Sequence, residues 1–376
     1  MKRLSESENS DHESTEKNVR IDVIKAPTAD VRSHDKKFPF FRRPRIIGGF
    51  SVDADRKFLP DRSQMRFFCP DKLKNSAQPG SSYKRVNWDL NQGYENVIRK
   101  DQNFKKDEGI SFMLKWILQN KSTFQVINPQ TNETMPLTML STDFVCFRGL
   151  LTTIMCSPYE KRDGWQIFAV KHKGTIYLRQ MDTEAQLKAE ANKSEHQMRM
   201  CSWGYKFEQY VVEDLRNEKE ESFNENRKFP PVNENEEFCC MYRARLGNHS
   251  VVYGAEMDGF RLRTPSEGAL NLNDIDLNQD GHFIELKTTR TIDSPRLEAR
   301  YLNMFLSKRT RLTSTYHFSA LPDTKSSNGG VKPFWYAFQW SSVASATTTA
   351  SSPDWWTILA PSCPRWEPTT GYLMSA

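Results

Sequence analysis

The sequence predicts an α+β fold built on mixed β-structure, and three observations carry that prediction. Strand-like runs recur over Asp143–Phe147, Gln166–Val170, Thr175–Leu178, Ser250–Gly254 and His282–Lys287. Helical signals cover Gly109–Gln119, Gly149–Met155 and Thr183–Leu215. The two kinds of element mix without a strict strand–helix–strand rhythm, which disfavours a doubly wound parallel sheet. The last helical run opens on Thr183 with Gln186 three residues on, a capping-box pattern, and continues through Ala, Glu, Lys and Gln.

Composition divides the chain. Residues 1–37 hold 16 charged residues and no Phe, Tyr or Trp. Such an arm buries too little apolar surface to offset its ordering entropy, so a disordered leader is expected. Lys36–Arg45 alternates bases with aromatics around two prolines. It suits first an extended strand entering the core, and second a nuclear-import or nucleic-acid contact. A single globular core is expected over 38–300. Beyond it the character changes: residues 334–376 hold three charged residues and five of the nine tryptophans. Within that stretch, Ser341–Ser352 is eleven Ser, Thr or Ala out of twelve.

Whole-chain properties exclude several classes. The apolar share of 37% is low against the ~45–50% of ordinary domains, which fits a core with polar ends. No stretch approaches the ~18 apolar residues of a transmembrane helix. The first twenty residues lack the apolar centre of a secretory signal. Seven cysteines, scattered and without a CxxC, fit neither a zinc ribbon nor a disulfide scaffold, and suggest the cytosol or nucleus. The net charge of +6 permits an anionic partner without demanding one. There is no GxSxG, Walker A or GxGxxG pattern.

Chemistry concentrates in four segments. Read as a strand, Gly254–Gly259 puts Glu256 and Asp258 on one face and Met257 on the other. In His282–Thr288, Glu285 and Lys287 share a face opposite Ile284 and Leu286. If these strands pair, three carboxylates and an ammonium converge. Carboxylates that close repel one another, and a hard divalent cation such as Mg²⁺ or Mn²⁺ would compensate them. Two such ions support in-line phosphoryl displacement. The same residues also suit two ordinary half-buried strands with a charged wet face. In the third segment, Trp203–Tyr210, Glu208 lies in a largely apolar helical turn, as a metal ligand or a salt-bridged structural residue. In the fourth, Arg148 stands at a strand-to-helix junction before Gly149, placed to grip a phosphate or to cap the helix. A further stretch, Asp276–Gly281, matches the start of an EF-hand loop. Position 12 would be Lys287, which cannot bind calcium, so a hairpin turn is expected instead.

Taken in order, FRGLLTTIMCSPYE from Phe147, GYKFEQY from Gly204, EMDG from Glu256 and ELKT from Glu285 resemble the decapping exoribonuclease family (the DXO/Rai1/Dom3Z group). The resemblance runs from Ile46 to Arg300. It implies two mixed β-sheets flanked by helices in one catalytic domain, related to the metal-dependent PD-(D/E)XK nucleases. It implies hydrolysis at RNA 5′ ends: removal of incomplete or NAD caps, release of pyrophosphate from 5′-triphosphates, and in some members 5′→3′ degradation. Glu208, Glu256, Asp258, Glu285 and the backbone carbonyl of Leu286 are implied as ligands of two Mg²⁺ or Mn²⁺ ions. Glu256, Asp258, Glu285 and Lys287 are the implied catalytic set, with Lys287 beside the attacking water. Arg148, Glu208, Lys287 and Gln339 are the implied substrate contacts.

The chain also departs from the family pattern. The family glutamine lies in a Trp-x-Gln-Ser segment, whereas Phe334–Gln339 reads FWYAFQ, with Ala337 in the expected glutamine place. Residues 301–330 read as an insertion and 331–376 as a divergent C-terminal segment. The expected partners are RNA 5′ ends and a 5′→3′ exoribonuclease, with no membrane and a nuclear or cytoplasmic location. A non-catalytic RNA-end-binding scaffold is the alternative, motivated by that divergent end. A DNA nuclease of the wider group is a third reading.

Overall fold

The computed structural model describes residues 21–25, 41–69, 89–100, 108–125, 140–157, 164–214, 229–264, 270–289, 318–319, 334–338 and 371–375. In chain order the strands are β1 (Ile21–Lys25), β2 (Phe41–Val52), β3 (Phe58–Leu59), β4 (Phe67–Phe68) and β5 (Phe144–Phe147). There follow β6 (Gln166–His172), β7 (Thr175–Met181), β8 (Val212–Glu213), β9 (Glu237–Leu246) and β10 (His249–Glu256). The set closes with β11 (Gly259–Leu262), β12 (Gly281–Thr289), β13 (Phe318–Ser319), β14 (Phe334–Phe338) and β15 (Gly371–Ser375). The α-helices are α1 (Ser111–Gln119), α2 (Arg148–Cys156), α3 (Glu184–Ala191) and α4 (Glu195–Val211).

Two sheets result. The larger runs β1-β15-β6-β7-β5-β10-β9-β2-β3 and the smaller β13-β14-β12-β11-β4-β8. Both are mixed: β5 runs parallel to β7 and β10, β4 parallel to β11, and most other neighbours are antiparallel. One core lies between the sheets. There Phe238 and Tyr242 of β9 and Tyr253 of β10 join Phe260 of β11 and Phe283 of β12. A second core covers the outer face of the larger sheet, where Met113, Trp116 and Ile117 of α1 pack on Met241, Val252 and Val145. Burying side chains of this kind stabilises by about 1.5–3 kcal/mol each. A third core seats Phe207, Tyr210 and Val211 of α4 against Ile284 and Leu286 of β12.

Particular residues shape the strands. β2 is bulged between Arg42 and Arg45 and again between Ile46 and Gly48. Pro44, which cannot donate to a ladder, falls in the first bulge. Gly48 takes φ +154° under the Trp116 ring, which a Cβ would strike. The turn after Asp276 works as the predicted hairpin connection rather than an ion loop. Asp276 accepts from Asn278 N at 2.7 Å, and Asp280 accepts from Asp276 N at 2.6 Å. The Asn278 amide then plugs the second bulge, donating to Ile46 O at 3.1 Å and accepting from Ile46 N at 3.3 Å.

Two expectations change and one, the strand reading of the basic segment, holds. The helical run from Thr183 is two helices, because a second capping box, Ser194 with Gln197, starts α4 afresh. Ile21–Lys25, inside the expected leader, pairs with β15 at the edge of the larger sheet. The Lys36–Arg45 patch enters as strand from Phe41. Among the described residues no helix is long and apolar enough to cross a membrane.

Candidate active site

Glu256, Met257 and Asp258 form the crossing between the two sheets. β10 ends on Glu256 in the larger sheet, and β11 begins at Gly259 in the smaller. Met257 is buried in the shared core, where its sulfur accepts from the Tyr242 hydroxyl at 3.0 Å. Its N–H donates to Phe238 O at 3.0 Å. With Met257 held inward, Glu256 is exposed and Asp258 half-buried on the other side. The anticipated pairing of the Glu256 strand with the Glu285 strand does not occur. It is β11 that pairs with β12, Gly259 opposite Ile284. Strand alternation reports which face a residue takes, and says nothing about which sheet receives it.

Asp258 nevertheless reaches β12. Its Oδ2 accepts the backbone N–H of Leu286. Glu285 turns inward: it is 2% exposed and held by Arg148, whose Nη1 and Nη2 donate to its two oxygens at 2.8 and 3.1 Å. Arg148 is the first residue of α2, so the helix start fixes its reach. Burial works against the guanidinium charge, but Glu285 in contact and Asp258 nearby hold its pKa well above the ordinary arginine value. The arginine expected to face a phosphate is thus committed to a buried carboxylate.

Glu208 stands on α4, half-buried rather than enclosed, because Lys206, Phe207, Tyr210 and Val211 take the buried positions of that turn. It lines, with Glu256 and Asp258, one cleft of about 330 Å³. Tyr205, one turn before Glu208's neighbours, lies in the same wall. Its phenol is pushed far up by burial, then by Glu256 and Glu208, and stays protonated. Leu286 is buried in β12, opposite Ala337 of β14. Lys287 is described only as a β12 backbone position opposite Tyr336, and Gln339 lies outside the described residues.

The arrangement therefore brings Glu208, Glu256 and Asp258 to one cleft and sets Glu285 behind it under Arg148. Among the described residues, no group of three or more His, Cys, Asp or Glu side chains is assembled to hold a metal ion. The donor chemistry still suits a hard cation: three carboxylates share an open wall, with a fixed arginine offsetting two acids beside them.

Other lining residues escaped the sequence reading. Arg66 and Gln64 form one lip, tied together by a 2.7 Å hydrogen bond. Phe229, Pro230 and Pro231 form another. Alternation in Met65–Phe67, with both apolar residues buried, could have marked Arg66 as turned away from the core. The Phe-Pro-Pro run carries no comparable signal.

A family model described as RAI1 like PD-(D/E)XK nuclease matches residues 42–308. The Xenopus laevis "Decapping and exoribonuclease protein" is 32% identical over 223 residues, 59% of this chain and 51% of that protein. The Drosophila melanogaster "Decapping and exoribonuclease protein Rai1" is 34% identical over 257 residues, 68% of this chain and 62% of that protein. The chain thus spans between half and two thirds of the length of these curated relatives. Among solved structures, Candida albicans Rai1 in complex with pU5-Mn²⁺ superposes with a TM-score of 0.62 at 17% identity, covering 93% of this chain and 90% of that one. Scheffersomyces stipitis Rai1 in complex with (3′-NADP)⁺ and calcium ion gives 0.60 at 16%, with the same coverage. At such identities the likeness carries the fold: two mixed sheets with flanking helices.

Proposed function

The chain belongs to the RAI1-like PD-(D/E)XK nuclease family, and from that premise we propose that it is a divalent-metal-dependent hydrolase of RNA 5′ ends. The carrying observation is the cleft on which Glu208, Glu256 and Asp258 converge, with the Arg148–Glu285 pair directly behind. Each of these residues falls inside the matched family region. The proposed substrates are incompletely capped, NAD-capped and 5′-triphosphorylated RNAs, with 5′→3′ degradation as a further activity. The names of the relatives, and the pU5-Mn²⁺ and NADP ligands of the two neighbours, support this reading. Nucleus and cytoplasm are the proposed locations, and a 5′→3′ exoribonuclease the proposed protein partner.

Glu208, Glu256 and Asp258 would hold Mg²⁺ or Mn²⁺, with Glu285 and the Leu286 carbonyl completing a two-ion set. Bound there, such ions supply Lewis acidity and a water of lowered pKa. The chain's own residues do the rest. The Leu286 N–H fixes the Asp258 carboxylate in one orientation at the cleft. Arg148 offsets the negative charge of Asp258 and Glu285, which allows acidic groups to sit together. Arg66 at the lip offers a cation to a phosphate approaching the cleft. Tyr205, protonated, can donate a hydrogen bond to a phosphate oxygen. Lys287 would orient the attacking water.

A panel of RNAs identical except at the 5′ end tests the proposal. Release of the 5′ group with Mn²⁺, abolished by chelator and absent for a DNA of the same sequence, is the expected result. Binding without release at every Mn²⁺ concentration would replace it with the scaffold reading.

A further inference from the structure

The basic segment at the start of the core does more than enter it as a strand. In the β2–β9 ladder, Arg42 stands directly opposite Arg245 and Arg45 directly opposite Arg243. Arg243 and Arg245 are two apart on β9, so they share a face, and each partner in an antiparallel pair shares its neighbour's face. Four arginines therefore occupy one patch. Like charges directly opposite one another destabilise a sheet. Neutralising carboxylates would normally be expected between them, yet none of the four is in an ion pair with a carboxylate among the described residues.

The patch is also poised for an anion. Arg42, Arg45 and Arg245 are exposed. Arg243 lies with its Cζ 5.1 Å from the Phe124 ring centroid, and its Nε and Nη2 are buried without a hydrogen-bond partner. Those two N–H groups are closed to solvent, so Arg243 adds its charge to the patch rather than a donor pair. The ring holds that guanidinium in place beside three exposed arginines, whose forks can each offer phosphate parallel donors. Arg245 gives one N–H to the nearby Asn248 carbonyl at 3.3 Å and keeps the others. β9 connects the patch to the cleft: its first residue, Glu237, lines the cleft, and Arg245 stands eight residues on, about 27 Å away at the antiparallel rise. At that separation, well beyond the ~8 Å screening length of physiological salt, the acidic cleft does not cancel the patch.

We propose that the Arg42–Arg245 and Arg45–Arg243 pairs form a phosphate-binding ladder that holds the body of a single-stranded RNA whose 5′ end occupies the cleft. The ladder is proposed to meet the repeating phosphate backbone, so it binds mainly by charge and with little regard to sequence. The identification of RNA as the polyanion rests on the proposed function, and the test separates the two. The full chain is titrated with a long 5′-hydroxyl single-stranded RNA at several salt concentrations and read by fluorescence anisotropy. The exposed-site double variant R42E/R245E should bind at least about tenfold more weakly. Its log K against log salt slope should flatten by ~1.4, two phosphates at ~0.7 each. Hydrolysis of a 5′-triphosphorylated trinucleotide, too short to span from cleft to ladder, should be unchanged. The variant R42Q/R245Q should lose RNA affinity while its Tm rises, because like-charge pairs are relieved. Unchanged affinity and slope, or a lowered Tm in R42Q/R245Q, would overturn the ladder. So would a poly-glutamate peptide that binds the wild type as tightly as RNA does and loses that binding in R42E/R245E. If no 5′ end is hydrolysed by the wild type while the arginine variants still lose RNA, the ladder stands and the hydrolase reading falls.

Discussion

Asp258 Oδ2 accepts the backbone N–H of Leu286, and this one bond ties the residue leaving the larger sheet to an interior strand of the smaller. The carboxylate has two tasks that different variants pull apart. Asp258→Asn retains an oxygen acceptor for the Leu286 N–H but removes the charge. Metal-dependent release from 5′-triphosphorylated RNA should fall by at least about 100-fold while the urea midpoint moves little. Asp258→Ala removes both, and should lose about 1.5–3 kcal/mol of stability in addition. Equal stabilities for the two would show that the hydrogen bond contributes nothing.

Arg148→Ala leaves the 2%-exposed Glu285 carboxylate without its cation. Breaking a buried pair from one side costs about 3–5 kcal/mol. Urea unfolding should show this loss, and Arg148→Lys should recover only part of it, since an ammonium cannot match both oxygens. The double change R148M/E285L should lie closer to wild type in stability than R148A does, because both charges go together. A double variant less stable than R148A would contradict the burial argument.

Divalent cation should raise the melting temperature if the cleft carboxylates ligate it. At about 100 times Kd the stabilisation is about 2.7 kcal/mol. The shift with Mn²⁺ should shrink in Glu256→Gln and in Glu208→Gln, with no RNA present. An undiminished shift in both variants would remove these residues from the ligand set.

Asn278→Ala removes the amide that bonds both the N–H and the carbonyl of Ile46. A bulge left with a poorly satisfied N–H should cost about 1–3 kcal/mol, seen as a lower urea midpoint with unchanged turnover at saturating substrate. Any shift of the midpoint with calcium should be the same in Asp276→Asn as in the wild type, if the turn carboxylates serve only their own backbone. A calcium-dependent shift abolished by Asp276→Asn would restore the ion-loop reading.

What could be read from the residues follows from what each element faces. β5, β6, β7, β10 and β12 were legible because short apolar runs end at turn residues. β9 was not, because Phe238–Tyr242 is buried on both faces and the run reads as unpatterned apolar sequence. β2 was only half legible, since Pro44 in its interior argues against a central strand until the bulge is seen. At the site, Glu256, Asp258 and Glu208 stood out because carboxylates beside buried apolar neighbours conflict with their surroundings. The burial of Glu285 under Arg148 was not visible, because its partner stands 137 positions away and sequence offers no measure of that approach. Arg42 and Arg45 were visible as charges, but their opposition to Arg245 and Arg243 is a property of register alone.

The edge of the larger sheet sets an order of events during synthesis. β15 lies between β1 and β6, with Ile21 opposite Gly371 and Gly371 opposite Val170. Until residues 371–375 leave the ribosome, β6 has no neighbour on that side, and its row of amides and carbonyls is a template for any extended chain. Closing the edge joins segments at very distant positions, which is slow on entropic grounds. The nascent protein therefore passes through a stage in which the Glu256–Gly259 crossing between the sheets can already be formed while one flank remains open to misassociation. Chaperone dependence should track that interval rather than the stability of the finished fold.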